Sequence, residues 1–392
     1  MMSIVERRDA ERLKQQPGRE TRGLPNHFYV DQDHFILEQK MLFQRSWVFA
    51  GVADEVGAPG AVVQKHVAGV PIFLTRNQSG ELKAFQNVCP HRGVRLVTED
   101  KSDARLIACP YHAWAFDLDG VLRARPHFYG PGQHGTPRDG DDLDCKGLFP
   151  VRLETWNGAL LVNIDGNAPP ISEFLAALNT EAGNYDLSCM RYSGMISSEF
   201  ESNWKLTIEN WLDSYHVFAV HPGLDKMMIP AQRKSAIGSG TLVYADYYST
   251  DVGKSVRGGL PEIPNMPEEL RNASFFAAQF PNWAVSIHPS YLLFWNYVPV
   301  ALNKTRVDVY AHFVGEAATD AEHSQARADL LTYYLGLNEE DAGVCSLMQQ
   351  GRAAPAYDGG RFSPYWDGGS VHFARLVEAA MKWTGANTTA EV

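Results

Sequence analysis

A chain of 392 residues, 45% hydrophobic and 21% charged, has room for two ordinary soluble domains. Its formal charge of -11 disfavours nucleic-acid binding, which needs Lys and Arg to neutralise phosphates, and no apolar run is long enough to span a bilayer. Five cysteines, an odd number without framework spacing, argue against a disulfide scaffold. The opening stretch MMSIVERRDAERLKQQPGRE is charged and lacks the apolar core of a signal peptide, so a cytoplasmic location is expected.

Residues 1–50 read as a charged lead with a helix around 32–46. Residues 51–165 carry short apolar runs (AVVQKHV, PIFLTR, LKAFQNV, GALLVNI) separated by Gly, Pro, Asn and Asp, and read as β-rich. The Pro-, Gly- and Asp-rich stretch 126–147 reads as a long loop, and GNAPP at 166–170 as a boundary. Beyond it, 203–220 and 338–350 read as helices. YLLFWNYVPV and TRVDVYAHFVG read as adjacent strands of an antiparallel sheet. The expected class is α+β. The expected division is a helical lead, 1–50, packing on the last domain; a β-rich domain, 51–166; and a domain of antiparallel sheet flanked by helices, 167–392. GPGQHG at 130–135 matches G-x-G-x-x-G literally, but it lies in a loop with a proline between its first glycines and does not open a helix after a strand. It reads as a turn, leaving the chain with no nicotinamide or flavin site of its own.

Cysteine usage carries the first functional signal. Cys89 and His91 form C-x-H; seventeen residues later, Cys109 and His112 form C-x-x-H. Each loop offers one thiolate and one imidazole. Zinc fingers usually pair Cys with Cys and His with His along the chain. Mixed pairs suit a Rieske [2Fe–2S] centre, in which two Cys hold one iron and two His the other. Pro90 and Pro110 stiffen the loops and Gly93 permits a tight turn. Structural zinc remains the rival reading. Cys145, Cys189 and Cys345 have no such neighbour and read as buried thiols.

The second signal is D-x-x-H-x4-H, formed by Asp213, His216 and His221 in ENWLDSYHVFAVHPG. On a helix over 204–220, Glu209, Asp213 and His216 share a polar stripe. Pro222 disfavours helical geometry at His221, so a turn there would let both imidazoles converge on one ion. The plain alternative is a polar helix face with a helix-ending His-Pro. A facial triad also needs a carboxylate, and Glu339, Glu340 and Asp341 are the candidates. Asn338 can cap a helix starting there, with Glu339 and Glu340 serving its dipole.

CPHRG…CPYHAW, with FQRSWVFAGVADEVGAPGAVV ahead of it, resembles the Rieske motif of the catalytic α subunits of Rieske non-heme iron oxygenases. ENWLDSYHVFAVHPG resembles that family's mononuclear iron motif. The resemblance implies a [2Fe–2S] cluster on Cys89, His91, Cys109 and His112, and Fe(II) on His216 and His221. It implies that Asp341, followed by Gln349 eight residues on, is the third ligand, and that Asp213 bridges His216 to His112 of the partner subunit. It implies a helix-grip catalytic domain, a homotrimer and a separate NAD(P)H-dependent reductase, with or without a ferredoxin; no β subunit is expected.

FPNWAVSIHPSYLLFWNYVPVALNKTRV and GRFSPYWDGGSVHF resemble the branch acting on choline, glycine betaine and carnitine. The expected activity is therefore O2-dependent hydroxylation or N-demethylation of a small N-methylated or quaternary ammonium substrate. Aromatic cages attract such cations. The candidate substrate contacts are Asn210, Trp211, Tyr215, Phe218, Trp283, His288, Phe294 and Trp295. Some members acting on trimethylammonium substrates carry Glu at the bridging position, where this chain has Asp213. Ring-hydroxylating members use Asp, so an oxygenase acting on an aromatic acid is the alternative. An electron-transfer protein with the Rieske domain alone, or a zinc-stabilised binding protein, are rivals from other classes.

Overall fold

A computed structural model describes residues 20–134, 147–227, 238–249 and 259–382. The opening stretch, most of the expected loop at 135–146, Cys145 and Gly135 lie outside the described residues. The chain divides into two compact units, Gln44–Ala168 and Met1–Phe43 with Pro169–Val392. No helix among the described residues is long and apolar enough to cross a membrane.

The discontinuous unit opens with two short helices, α1 (His27–Val30) and α2 (Gln32–Glu38). The helix expected over 32–46 stops at Glu38 and continues as a π-turn over Gln39–Phe43.

Gln44–Ala168 is built from β1 (Val48–Val52), β2 (Val62–Val67), β3 (Val70–Arg76), β4 (Leu82–Gln86), β5 (Ile107–Ala108), β6 (Ala115–Phe116), β7 (Leu122–Ala124), β8 (Pro150–Trp156) and β9 (Ala159–Asn163). Six strands form an antiparallel sheet in the order β1-β9-β8-β4-β3-β2, and β5-β6-β7 form a small second sheet. Hairpin chemistry sets the register. Trp156 pairs with Ala159 across Asn157-Gly158, both at positive φ, the backbone a tight two-residue turn requires. The thiol-bearing loops lie between β4 and β5 and between β5 and β6.

The remaining unit adds α3 (Ile171–Phe174), α4 (Ala176–Ala182), β10 (Met190–Phe200), α5 (Trp204–Leu212), α6 (Val217–Val220), α7 (Pro222–Met227), β11 (Leu242–Ser249), β12 (Ala273–Gln279), β13 (Trp283–His288), β14 (Tyr291–Ala301), β15 (Lys304–Val314), α8 (Ser324–Gly351) and α9 (Gly368–Lys382). Its six-stranded antiparallel sheet runs β10-β15-β14-β13-β12-β11, a meander with β10 added at one edge. The α8 helix packs on β10 and α5, and α9 on β11 and α5. The fold is α+β, a β domain followed by an antiparallel sheet flanked by helices.

Two helices differ from expectation. The segment 203–220 is not one helix: α5 ends at Leu212, and Asp213 is extended at φ -97 and ψ 117. The Asp213 carboxylate accepts from the backbone N–H of Tyr215, a local bond that competes with helical pairing. The stripe of Glu209, Asp213 and His216 therefore does not exist. Glu209 turns inward, accepting a 2.6 Å hydrogen bond from the Tyr29 hydroxyl, and burial pushes its carboxyl up to about 7. The helix expected at 338–350 is 28 residues long and starts at Ser324. Asn338 is thus no cap; its amide donates to Ser198 Oγ. Cys345 is buried as expected, but Cys189 is only half-buried, its thiol directed at the Asp186 carbonyl.

A buried ion pair ties α2 to α5. Lys205 Nζ lies 2.6 Å from Glu38 Oε1, both side chains fully buried, and Trp204 Nε1 donates to Glu38 Oε2 at 2.9 Å. Burial works against the Glu38 carboxylate, but Lys205 outweighs it and holds the group below its ordinary range. Removing one partner strands the other charge in the core. Lys205→Ala is expected to destabilise this unit by about 3–5 kcal/mol, read from its denaturation midpoint, while Glu38→Gln with Lys205→Met recovers most of the loss.

Candidate metal centres and substrate cavity

The two thiol-bearing loops share one construction. In the first, the N–H of Cys89 donates to the carbonyl of Val94 at 2.7 Å and that of Gly93 to Cys89 at 2.9 Å. In the second, Cys109 donates to Trp114 at 2.8 Å and Ala113 to Cys109 at 3.0 Å. Gly93 and Ala113, each four residues past its Cys, both have positive φ, at 74° and 52°. Each turn buries its Cys and holds its imidazole half-buried.

The four side chains sort by type. The Cys89 thiol meets that of Cys109, and burial pushes it up to about 11. The His91 and His112 rings lie 4.8 Å apart, and His91 stacks on Trp114 at 4.7 Å. Nδ1 of both imidazoles is buried and finds no hydrogen-bond partner among the described residues. Burial, with the charges of His112 and Arg92, lowers the His91 pKa and favours the neutral ring a metal needs. Two thiols at one end and two inward nitrogens at the other fit a cluster of two irons.

His216, His221 and Asp341 gather within 4.8 Å. His216 opens α6, and His221 follows it at φ -117 and ψ 67, out of helical geometry ahead of Pro222. Asp341 reaches both from α8: its Oδ1 lies 3.5 Å from His216 Nε2 and 2.9 Å from His221 Nε2. The opposite nitrogens also face carboxylates. His216 Nδ1 is 3.5 Å from Asp213 Oδ2, and His221 Nδ1 is 2.6 Å from Glu340 Oε2. Glu340 thus does not serve a helix N-terminus, the use its sequence position suggested. Burial opposes protonation of His216, but Asp213 and Asp341 carry it up to about 9; Asp341, despite burial, is drawn down to about 2 by the two imidazoles. The three donors fit a divalent ion, and two imidazoles with one carboxylate leave coordination positions open. Gln349, eight residues past Asp341, accepts from the Asn203 N–H at 2.8 Å and so locks α8 to the start of α5.

A cavity opens beside this triad, lined in part by Asp213, His216, His221 and Asp341. Of the expected substrate contacts, Trp211, His288 and Trp295 line it. Strand alternation explains two that do not: Trp283 and Phe294 point to the opposite sheet face from His288 and Trp295. Asn210 is buried outside the lining, Tyr215 is half-exposed and stacked on Trp366 at 5.5 Å, and Phe218 is 60% exposed. Sequence reasoning missed Tyr244, Tyr248, Phe276, Tyr333 and Tyr334, which also line the cavity. The alternation of Tyr244, Asp246 and Tyr248 in LVYADYYS was the available signal. Trp211 is the hub, with Tyr244, Phe276 and Trp295 at 6.2, 6.3 and 6.4 Å.

Residues 46–130 match the Rieske [2Fe-2S] domain, and residues 187–383, just over half of the chain, match the ring hydroxylating alpha subunit (catalytic domain). The chain is 34% identical over 220 residues to the glycine betaine monooxygenase oxygenase subunit of Chromohalobacter salexigens, covering 56% of this chain and 47% of that one. It is 31% identical over 224 residues to the carnitine monooxygenase oxygenase subunit of Escherichia coli, covering 56% and 58%. The chain thus spans about half the length of the curated relatives it matches. The fold is similar to that of the quaternary ammonium Rieske monooxygenase CntA in complex with L-carnitine, with TM-score 0.72, 22% identity and coverage of 92% and 96%. Two loops built for a two-iron cluster and a two-imidazole, one-carboxylate triad agree with both matches, and the chain belongs to the ring-hydroxylating alpha-subunit family, with a Rieske [2Fe-2S] domain ahead of its catalytic domain.

Proposed function

We propose that the chain is the terminal oxygenase of a Rieske monooxygenase system that hydroxylates or N-demethylates a small quaternary ammonium substrate. The observation that carries this reading is the aromatic box around Trp211 directly beside the His216, His221 and Asp341 triad. Aromatic faces attract a desolvated onium group by about 2 kcal/mol or more. Asp213 and Asp341, the two carboxylates of the lining, are engaged by the imidazoles, so the aromatic faces are what the cavity offers an onium group.

Each residue has a place in this reading. Cys89 and Cys109 would hold one iron of the cluster and His91 and His112 the other; His216, His221 and Asp341 would hold mononuclear Fe(II). When bound, these groups would supply single electrons and O2 activation. Trp211, Tyr244, Phe276 and Trp295 hold the ammonium group so that a methyl or adjacent carbon faces the triad. Asp213 steadies His216 and, at the rim of the cavity, links it to His112 of the partner subunit. The exposed rings of Tyr215 and Phe218, next to Asp213, suit such a contact, and the homotrimer is what the family resemblance implies. In the structurally similar quaternary ammonium Rieske monooxygenase CntA, electron transfer is inter-subunit. Electrons come from a separate NAD(P)H-dependent reductase, with or without a ferredoxin, in the cytoplasm.

The test is product release. Chemically reduced, iron-loaded protein is exposed to O2 with a panel of N-methylated betaines and amines beside aromatic acids. Formaldehyde from one of the onium compounds is expected. A hydroxylated aromatic product without formaldehyde would transfer the site to an aromatic acid and overturn the cage.

A further inference from the structure

The two imidazoles of the triad are held alike by residues of different origin. Each turns Nε2 towards Asp341. Behind His216 stands Asp213, part of the sequence motif; behind His221 stands Glu340, which no motif marks, at the shorter distance of 2.6 Å. Neighbours on a helix point about 100° apart, so Glu340 and Asp341 cannot meet one side of a shared partner. They reach opposite nitrogens of the His221 ring instead.

We propose that Glu340 is a positioning residue for the metal centre: its carboxylate accepts the Nδ1–H of His221 and so leaves Nε2, with its lone pair, as the nitrogen that faces the metal. This rests on the reading of His216, His221 and Asp341 as metal ligands. An outer carboxylate of this kind fixes the tautomer, aims the ring and strengthens it as a donor. His221 sits at the junction of α6 and α7, its backbone bonded to Val217 and Asp225 but turned to φ -117 and ψ 67, and its ring is aimed by the two carboxylates it meets. Glu340 has little other use. Its side chain is 47% exposed, it lies off the buried face of α8, and its ion pair is with His221. Glu339 beside it makes no ion pair or hydrogen bond among the described residues. An acid so exposed contributes little to folding.

The experiment uses the full chain with its cluster in place and the mononuclear site emptied by chelation. Co(II) is titrated in and its d–d absorption followed. Glu340→Ala is expected to weaken Co(II) binding roughly 10–100-fold. Glu340→Gln, which keeps an acceptor for Nδ1–H, is expected to fall between Glu340→Ala and the parent, and Glu339→Ala to match the parent. The cluster spectrum and thermal unfolding serve as checks on the fold. Binding by Glu340→Ala within about threefold of the parent overturns the proposal, as does a Gln variant no better than Ala. A parent chain that binds no Co(II) in this site overturns the triad reading and this inference with it.

Discussion

His216→Ala is expected to keep the visible spectrum of the cluster and to lose turnover by more than about 100-fold. The substitution removes one of the three donors that gather within 4.8 Å and touches none of the quartet. Losing an outer-shell partner alone typically costs 10–100-fold, so losing a donor costs more. His216 is held by Asp341 and Asp213 at 3.5 Å each, and with the ring gone those carboxylates lose their common partner. Iron analysis and optical spectra of one preparation check the result: cluster iron and sulfide are retained, and the mononuclear iron is lost. Turnover close to that of the parent would remove His216 from the centre.

Asp213→Asn is expected to retain both metals and still slow coupled turnover by about 100-fold, the upper range for an outer-shell carboxylate. Asn keeps the shape and an oxygen to accept from the Tyr215 N–H, so the break after α5 survives. What goes is the negative charge behind His216 Nδ1, which helps hold that imidazole up to about 9. Single-turnover product yield, compared with the rate of cluster reoxidation, separates the two outcomes. Slow reoxidation with iron in place is the expected signature, and a normal reoxidation rate would rule out the bridging role.

The residues legible in the sequence are those whose geometry is local. Cys89 with His91, and Cys109 with His112, sit within single turns, so spacing alone conveyed two matching loops. Pro222 likewise announced the departure of His221 from helical geometry. Long-range pairing decides the rest. Which face Trp283 and Phe294 take depends on the register of β13 against β14, and an aromatic run reads the same on either face. Tyr244 and Phe276 join Trp211 only because the meander brings β11 and β12 to α5. Glu340 reads as an acid near the start of a short helix, whereas α8 runs for 28 residues and places it just past the middle. By spacing Asp213 fits a helical stripe, yet its own side chain, through the bond to Tyr215, ends that helix.

The buried pair of Glu38 and Lys205 also dictates an order of events during synthesis. The partners are 167 residues apart, and the whole of Gln44–Ala168 emerges between them. That intervening unit is continuous in sequence, and its strands can pair as they leave the ribosome, as domains generally do when they fold as units. Glu38 must wait, carried on an unpaired amphipathic stretch with Phe35, Leu42 and Phe43, until α5 appears. For that interval the nascent chain displays an apolar segment with no partner.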